Sequence, residues 1–326
     1  MKRCLRTLAL ASLASLVSLG PWWGGAIPSA RADEHCTRIQ DRTVPVPSGV
    51  LVPDSRVRVI VPTAYCTEGN TTAYPVLYLL HGAGDTWATW TNNTDVEEFS
   101  AAFDVIIVMP DGGHGTTPGN EAGWYSDWHD GSRDWETFHT DVLIDWVDAT
   151  YRTLDTADHR AVAGLSMGGF GAMSYAGRHP DLFSAAASFS GAVDTMHGWP
   201  ANGFGYQAAQ PFFGTPDDRV WGDAVTNADE WRAHNPADLA PALVGKTLVL
   251  ATGTGTPGGP AGDNPSNPGG YGVEAFIFQL NVSFQAHLRV AGAAFTDQGY
   301  LGGLHDWPYW EMALHHALPV LVNAID

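Results

Sequence analysis

Cysteine and positive charge are both scarce in this chain. Its 326 residues include three cysteines, and 16 lysines and arginines stand against 35 aspartates and glutamates. The formal charge of −19 disfavours nucleic acid and anionic membranes as partners, because both would repel such a surface. No C-x-x-C, H-E-x-x-H or EF-hand spacing occurs, so neither a metal site nor another cofactor is expected. Past the N-terminal stretch, no apolar run reaches the roughly 20 residues of a membrane-spanning helix. No internal repeat is found either.

The N-terminal stretch has an organisation of its own. Lys2, Arg3 and Arg6 precede an apolar run from Leu8 to Leu19. Pro28-Ser29-Ala30 and Ala30-Arg31-Ala32 then end in the small-x-small pattern of a cleavage site. We expect 1–32 to be a signal peptide, removed on export, and 33–326 to be one catalytic domain of a secreted, extracellular protein. Losing Lys2, Arg3, Arg6 and Arg31 leaves the remainder still more acidic. Cys4 leaves with the leader. Cys36 and Cys66 flank the first strand region and are expected to pair in an oxidising compartment.

Strand and helix signals alternate along the rest. Val57-Arg58-Val59-Ile60-Val61 alternates well enough for an early antiparallel strand. Tyr74 to Leu80 and Val105 to Met109 are continuous apolar runs that suit buried strands, as are Ala185 to Phe189 and Thr247 to Ala251. Trp135 to Tyr151 places Phe138, Val142, Ile144, Trp146 and Val147 at helical spacing. Such alternation predicts an α/β fold, a mostly parallel central sheet with helices on both faces. The Gly/Pro-rich stretch from Gly253 to Gly272 follows a strand directly and reads as a loop at the edge of a site. The segment from Trp199 to Trp231 reads as an irregular insertion that covers substrate or simply packs its aromatic rings.

One hexapeptide organises the chemistry: Gly164-Leu165-Ser166-Met167-Gly168-Gly169. An apolar strand-like run precedes it and a helix-tolerant run, Phe170 to Arg178, follows. Strand, sharp turn bearing a serine, then helix is the context of a nucleophile elbow. A serine hydroxyl is a poor nucleophile at neutral pH, so it needs a base and the base needs an orienting carboxylate. In such folds the order is serine, acid, histidine. His305, in the Gly-rich loop Gly302-Gly303-Leu304-His305, is therefore the expected base. His287, His315 and His316 fall inside predicted helices and read as surface or packing residues. For the acid, position alone leaves Asp263 and Glu274 open. The backbone N–H groups of Met167, after the serine, and of Ala83, in the turn His81-Gly82-Ala83-Gly84, are the expected oxyanion donors.

These blocks together resemble the esterase D family of α/β-hydrolases, and within it the antigen 85 mycolyltransferases. The likeness runs from Tyr74 to Leu318. It includes Trp124-Tyr125-Ser126-Asp127-Trp128, Trp135-Glu136-Thr137-Phe138, the elbow, Trp221-Gly222, Asn235-Pro236, Gly253-Thr254-Gly255-Thr256-Pro257 and His305-Asp306-Trp307-Pro308-Tyr309-Trp310. The resemblance implies Glu274 as the acid, since Asn281-Val282-Ser283-Phe284-Gln285 follows it as an Asn-x-x-Phe-Gln segment follows the family's glutamate. Asp263 is the alternative. One departure is His81-Gly82, where antigen 85-like proteins carry Asp-Gly, and it weakens any transfer of their trehalose or mycolate specificity.

The expected function is a serine esterase working through an acyl-serine on a small-molecule or lipid ester. Acyl transfer to a sugar or alcohol acceptor is the close alternative. A binding protein on an inactive hydrolase scaffold is the alternative of another class.

Overall fold

A computed structural model describes residues 36–115, 121–198 and 218–326. The leader expected over 1–32 and most of the insertion after Trp199 lie outside the described residues. Eight strands form one sheet: β1 Ile39–Thr43, β2 Arg56–Ile60, β3 Val76–Leu80, β4 Ile106–Pro110, β5 Arg160–Leu165, β6 Ala185–Phe189, β7 Thr247–Ala251 and β8 Thr296–Asp297. Their order is β1-β2-β4-β3-β5-β6-β7-β8. β1 and β2 pair antiparallel, as do β2 and β4, and every later pairing is parallel. This is the α/β-hydrolase fold.

The apolar runs read from the sequence become the central strands because both faces are covered. Every residue of β3, β4, β5 and β6 is buried. On one face Leu77, Leu79, Ala161, Ala163, Ala185, Ala187 and Phe189 share a core with Trp310, Ala313, Leu314, Ala317 and Leu321. Those last five belong to a helix, Trp307–Ile325, and recur every three or four residues, as an amphipathic helix requires. Asp306 caps it, accepting from the Trp307 N–H at 2.8 Å, and Pro308 occupies its first turn, where no intrahelical donor is lost. We label the three long helices α1, Met167–Arg178, α2, Gly270–Ala291, and α3, Trp307–Ile325.

Two strands carry too little pattern to be read from the sequence: β1 is mostly polar, and β8 has two exposed residues. The run from Trp135 is helical, but not uniformly so. Trp135–Thr137 and Ile144–Thr150 are α-helical, with a π-helical stretch, Phe138–Leu143, between them. The wider turn accommodates a residue that a 3.6-residue period does not. It leaves His139 buried, Nε2 2.8 Å from the Asp111 carbonyl and Nδ1 2.9 Å from the Tyr175 hydroxyl.

Cys36 and Cys66 are disulfide-bonded, as expected from the sequence. No helix among the described residues is long and apolar enough to cross a membrane.

Candidate active site

The parallel strands deliver their C-terminal ends to one edge of the sheet, where α/β folds place ligands. Ser166 stands on the turn between β5 and α1, with φ 52° and ψ −116°. An L-residue held at positive φ is strained, and such strain persists only where the surroundings enforce it. Here the enforcement is close packing. A Cβ on Gly168 would lie 2.6 Å from the carbonyl oxygens of Leu80 and His81, and one on Gly164 would lie 2.4 Å from the Gly168 oxygen. The Ser166 N–H is tied to the Phe189 carbonyl at 2.9 Å.

His305 comes from the loop before α3. Its Nε2 lies 2.9 Å from Ser166 Oγ and its Nδ1 lies 2.8 Å from Glu274 Oε2. Glu274, in the first turns of α2, is fully buried. Its other oxygen, Oε1, accepts from the Ser190 hydroxyl at 2.8 Å and from the Gly253 N–H at 2.7 Å. Both carboxylate oxygens therefore have donors, as a buried charge requires. With Glu274 an acceptor, the Nδ1 proton belongs on His305, and Nε2 is left to accept from the serine.

The loop after β7 supports the histidine. The His305 N–H donates to the Gly270 carbonyl at 3.0 Å, and Asn267 Nδ2 donates to the His305 carbonyl at 3.1 Å. Asp263, the alternative acid, is occupied elsewhere: Oδ1 accepts from the Gly258 N–H at 2.9 Å and the Tyr271 hydroxyl at 2.7 Å. His287 and His316 lie on helices, and His315 pairs with Asp95 at 2.6 Å.

The turn after β3 lies directly against the elbow. A Cβ on Gly82 would come within 3.4 Å of the Ser166 Cβ. The Asp85 N–H closes this turn on the Gly82 carbonyl at 3.2 Å. The Ala83 N–H has no hydrogen-bond partner among the described residues, and Met167, at the start of α1, has no preceding turn to accept its N–H. The sequence reading missed what fixes this turn. His81 is buried, its Nδ1 2.8 Å from the Gly82 carbonyl, and its Nε2 accepts from the Gly112 N–H at 2.8 Å. Burial holds the imidazole neutral, with its pKa lowered to about 3. Tyr125, at φ 48°, donates its hydroxyl to the His81 carbonyl at 2.8 Å. Ser190, also at positive φ (47°), was missed as well. Nothing local marks it, because its partner Glu274 is 84 residues away.

Part of the aromatic insertion is internal packing. Trp221 and Trp231 are buried with ring centroids 5.0 Å apart, and Trp221 also packs on Phe170 at 5.2 Å.

The chain matches a family model described as "Putative esterase" over residues 48–321. An esterase of Mycobacterium tuberculosis strain H37Rv is 36% identical over 202 residues, 61% of this chain and 42% of that protein. The chain thus spans less than half the length of that relative. The diacylglycerol acyltransferase/mycolyltransferase Ag85B of Mycobacterium leprae is 30% identical over 346 residues, covering 99% of this chain and 94% of the other. Among solved structures, Mycobacterium tuberculosis MPT51 (FbpC1) superposes with a TM-score of 0.69 at 24% identity, over 89% of this chain and 100% of that one. A ferulic acid esterase gives 0.63 at 23% identity, over 88% and 98%. With three-quarters or more of its length matched by both the family model and an acyltransferase relative, the chain belongs to the esterase family of α/β-hydrolases.

Proposed function

We propose that this protein is a serine esterase or acyltransferase in which Ser166, His305 and Glu274 act as a triad. The observation that carries the reading is the hydrogen-bonded chain from Ser166 Oγ through the imidazole of His305 to the buried carboxylate of Glu274. As Ser166 attacks an ester carbonyl, His305 Nε2 takes the hydroxyl proton. Glu274 holds the ring in the tautomer that can do so and stabilises the imidazolium that forms. The N–H groups of Ala83 and Met167 stabilise the oxyanion of the tetrahedral intermediate. His305 then returns its proton to the departing alkoxide, leaving an acyl-serine. Water or an alcohol, deprotonated by the same histidine, attacks the acyl carbon and regenerates the serine.

Hydrolysis and transfer differ only in that final acceptor. His81-Gly82 favours esterase, and the mycobacterial acyltransferase relative keeps transfer to a sugar or alcohol in play. The substrate class is a small-molecule or lipid ester. The disulfide and the N-terminal leader pattern support a secreted protein. A non-catalytic binding role calls for a broken triad, and the connected Ser–His–Glu chain argues for catalysis instead.

The test is the fate of the acyl group from a p-nitrophenyl ester, in water and with trehalose added. Hydrolysis that is lost in Ser166→Ala is the expected result. Acylated trehalose would assign transfer, and free acid alone would remove transfer to that acceptor. A wild-type protein that cleaves no ester would overturn the enzymatic reading.

A further inference from the structure

Beneath the Gly82–Asp85 turn lies a cluster that the reaction does not use. Asp54 precedes β2, and Asp111 and His114 follow β4, so no sequence motif joins them. One ligand atom from each lies within 4.8 Å of the others. His114 Nε2 is 3.3 Å from Asp111 Oδ2 and 3.8 Å from Asp54 Oδ2.

Two observations set this cluster apart from an ordinary acidic patch. Asp111 is fully buried, and while its Oδ1 accepts from the Gly113 N–H at 3.0 Å, its Oδ2 has no hydrogen-bond partner. A buried carboxylate oxygen without a donor is costly unless a positive charge faces it. The second observation is the ring of His114. Its Nδ1 is 2.9 Å from the Asp85 carbonyl, which fixes the proton there and turns Nε2 toward the two carboxylates. At 3.3 Å the contact with Asp111 lacks hydrogen-bond geometry, and at 3.8 Å Asp54 is beyond reach. Nε2 thus faces both carboxylates without a well-formed hydrogen bond to either. A cation in the same place, about 2.1 Å from each ligand, spaces its ligands roughly 3–3.5 Å apart.

We propose that Asp54, Asp111 and His114 bind one divalent first-row cation, which fastens the Gly82–Asp85 turn from behind. Two carboxylate oxygens and one imidazole nitrogen suit Mn²⁺ or Zn²⁺, with water completing the coordination. The surroundings match those of ligating residues. The second nitrogen of His114 is anchored on a backbone carbonyl, as metal-bound histidines usually are. Asp54 is held by Arg56, whose Nε donates to Oδ1 at 2.9 Å and whose Nη2 donates to Oδ2. That guanidinium offsets one of the two carboxylate charges and leaves the other for the cation. The cation touches no reacting atom. It acts through His114 and the Asp85 carbonyl, and so positions the turn that faces Ser166.

The experiment is Mn²⁺ titration of the chelator-treated protein, followed by the EPR signal of free Mn²⁺, with thermal melts with and without Mn²⁺ or Zn²⁺. Wild type should bind one Mn²⁺ per chain and melt higher with metal. His114→Ala should weaken binding at least about tenfold and lose the thermal shift. Asp111→Asn should do the same, and His114→Ala serves as the folded control if the buried substitution unfolds the protein. Absence of stoichiometric Mn²⁺ binding, or binding unchanged in His114→Ala, would overturn the site and leave an imidazolium between two carboxylates. This readout does not depend on ester cleavage, so it stands or falls apart from the proposed function.

Discussion

Glu274 and His305 meet across the edge of the sheet, carboxylate Oε2 to imidazole Nδ1 at 2.8 Å, with the carboxylate fully buried. Thirty-one residues separate them, and a helix, α2, and the loop before α3 bring them together. Glu274→Gln keeps the shape but puts an amide where a charge was needed. It is expected to lower kcat by about 10²–10⁴ with little change in KM. Asp263→Asn, on the exposed loop, should leave kcat within about twofold. Steady-state kinetics on a p-nitrophenyl ester decides between the two acids, and the reverse pattern would transfer the role to Asp263.

The packing of Gly168 predicts a contrast between two glycine substitutions. Gly168→Ala forces a methyl to 2.6 Å from two backbone oxygens that cannot move aside alone. It should cost about 1–3 kcal/mol and most of the activity. Gly272, in α2, has nothing within 4 Å of its would-be Cβ. There alanine should stabilise by about 0.5–1 kcal/mol and leave the rate unchanged. Denaturant melts of both variants provide the check, and equal effects would contradict the close-packed elbow.

Asp85 gives the site a pH dependence of its own. Burial pushes its carboxyl up to about 7, against the opposing pull of the Gly82 N–H and His114. The carboxyl sits beside Gly82: a Cβ there would lie 3.1 Å from Asp85 Oδ2. As pH rises through 7 a negative charge develops beside the turn proposed to hold the oxyanion. The wild-type rate should therefore be held back above pH 7, and Asp85→Asn should recover roughly threefold or more at pH 8.5. Its folded pKa is raised, so its contribution to stability is greatest in acid, below its unfolded value near 4, and is lost as pH rises through about 7. A flatter stability–pH curve in Asp85→Asn is the second expectation. Parallel rate profiles in the two proteins would rule out a role for this carboxyl.

His81 works in the opposite sense. Its pKa is depressed to about 3 by burial, more than the Gly82 carbonyl restores. A depressed histidine stabilises the fold fully above its unfolded value near 6.5, and that contribution is lost as pH falls toward 3. Protonation would place an Nε2–H against the Gly112 N–H. Urea melts between pH 7 and 4 should show a steeper loss of stability in wild type than in His81→Asn. If the two curves fall together, the acid sensitivity belongs to other groups.

What the sequence revealed follows physical range. β3, β4, β6 and β7 were visible because a strand covered on both faces must be apolar throughout. The elbow was visible because its glycines answer to sterics within a few residues. β1 was hidden because a polar edge strand is defined by its pairing with Ile60 to Arg56, not by its own residues. The π-helical turn at Phe138–Leu143 departs from the period by which helices are recognised. His305 is expected from its Gly-rich loop, whereas Glu274 is preferred to Asp263 only through the family resemblance. The Ser190 contact with Glu274 and the Gly112 contact with His81 Nε2 span 84 and 31 residues, so the local sequence reveals neither. His114 is similar: two of its three contacts reach back, to Asp54 before β2 and Asp85 after β3.

The central claim is that Ser166 is a nucleophile activated by His305. The most direct measurement is covalent labelling by a fluorophosphonate, read by intact mass, in wild type, Ser166→Ala and His305→Ala. The account predicts one adduct on wild type, located on Ser166, none on Ser166→Ala, and labelling slowed at least about a hundredfold in His305→Ala. An unlabelled wild type, or an adduct that persists in Ser166→Ala, would contradict it.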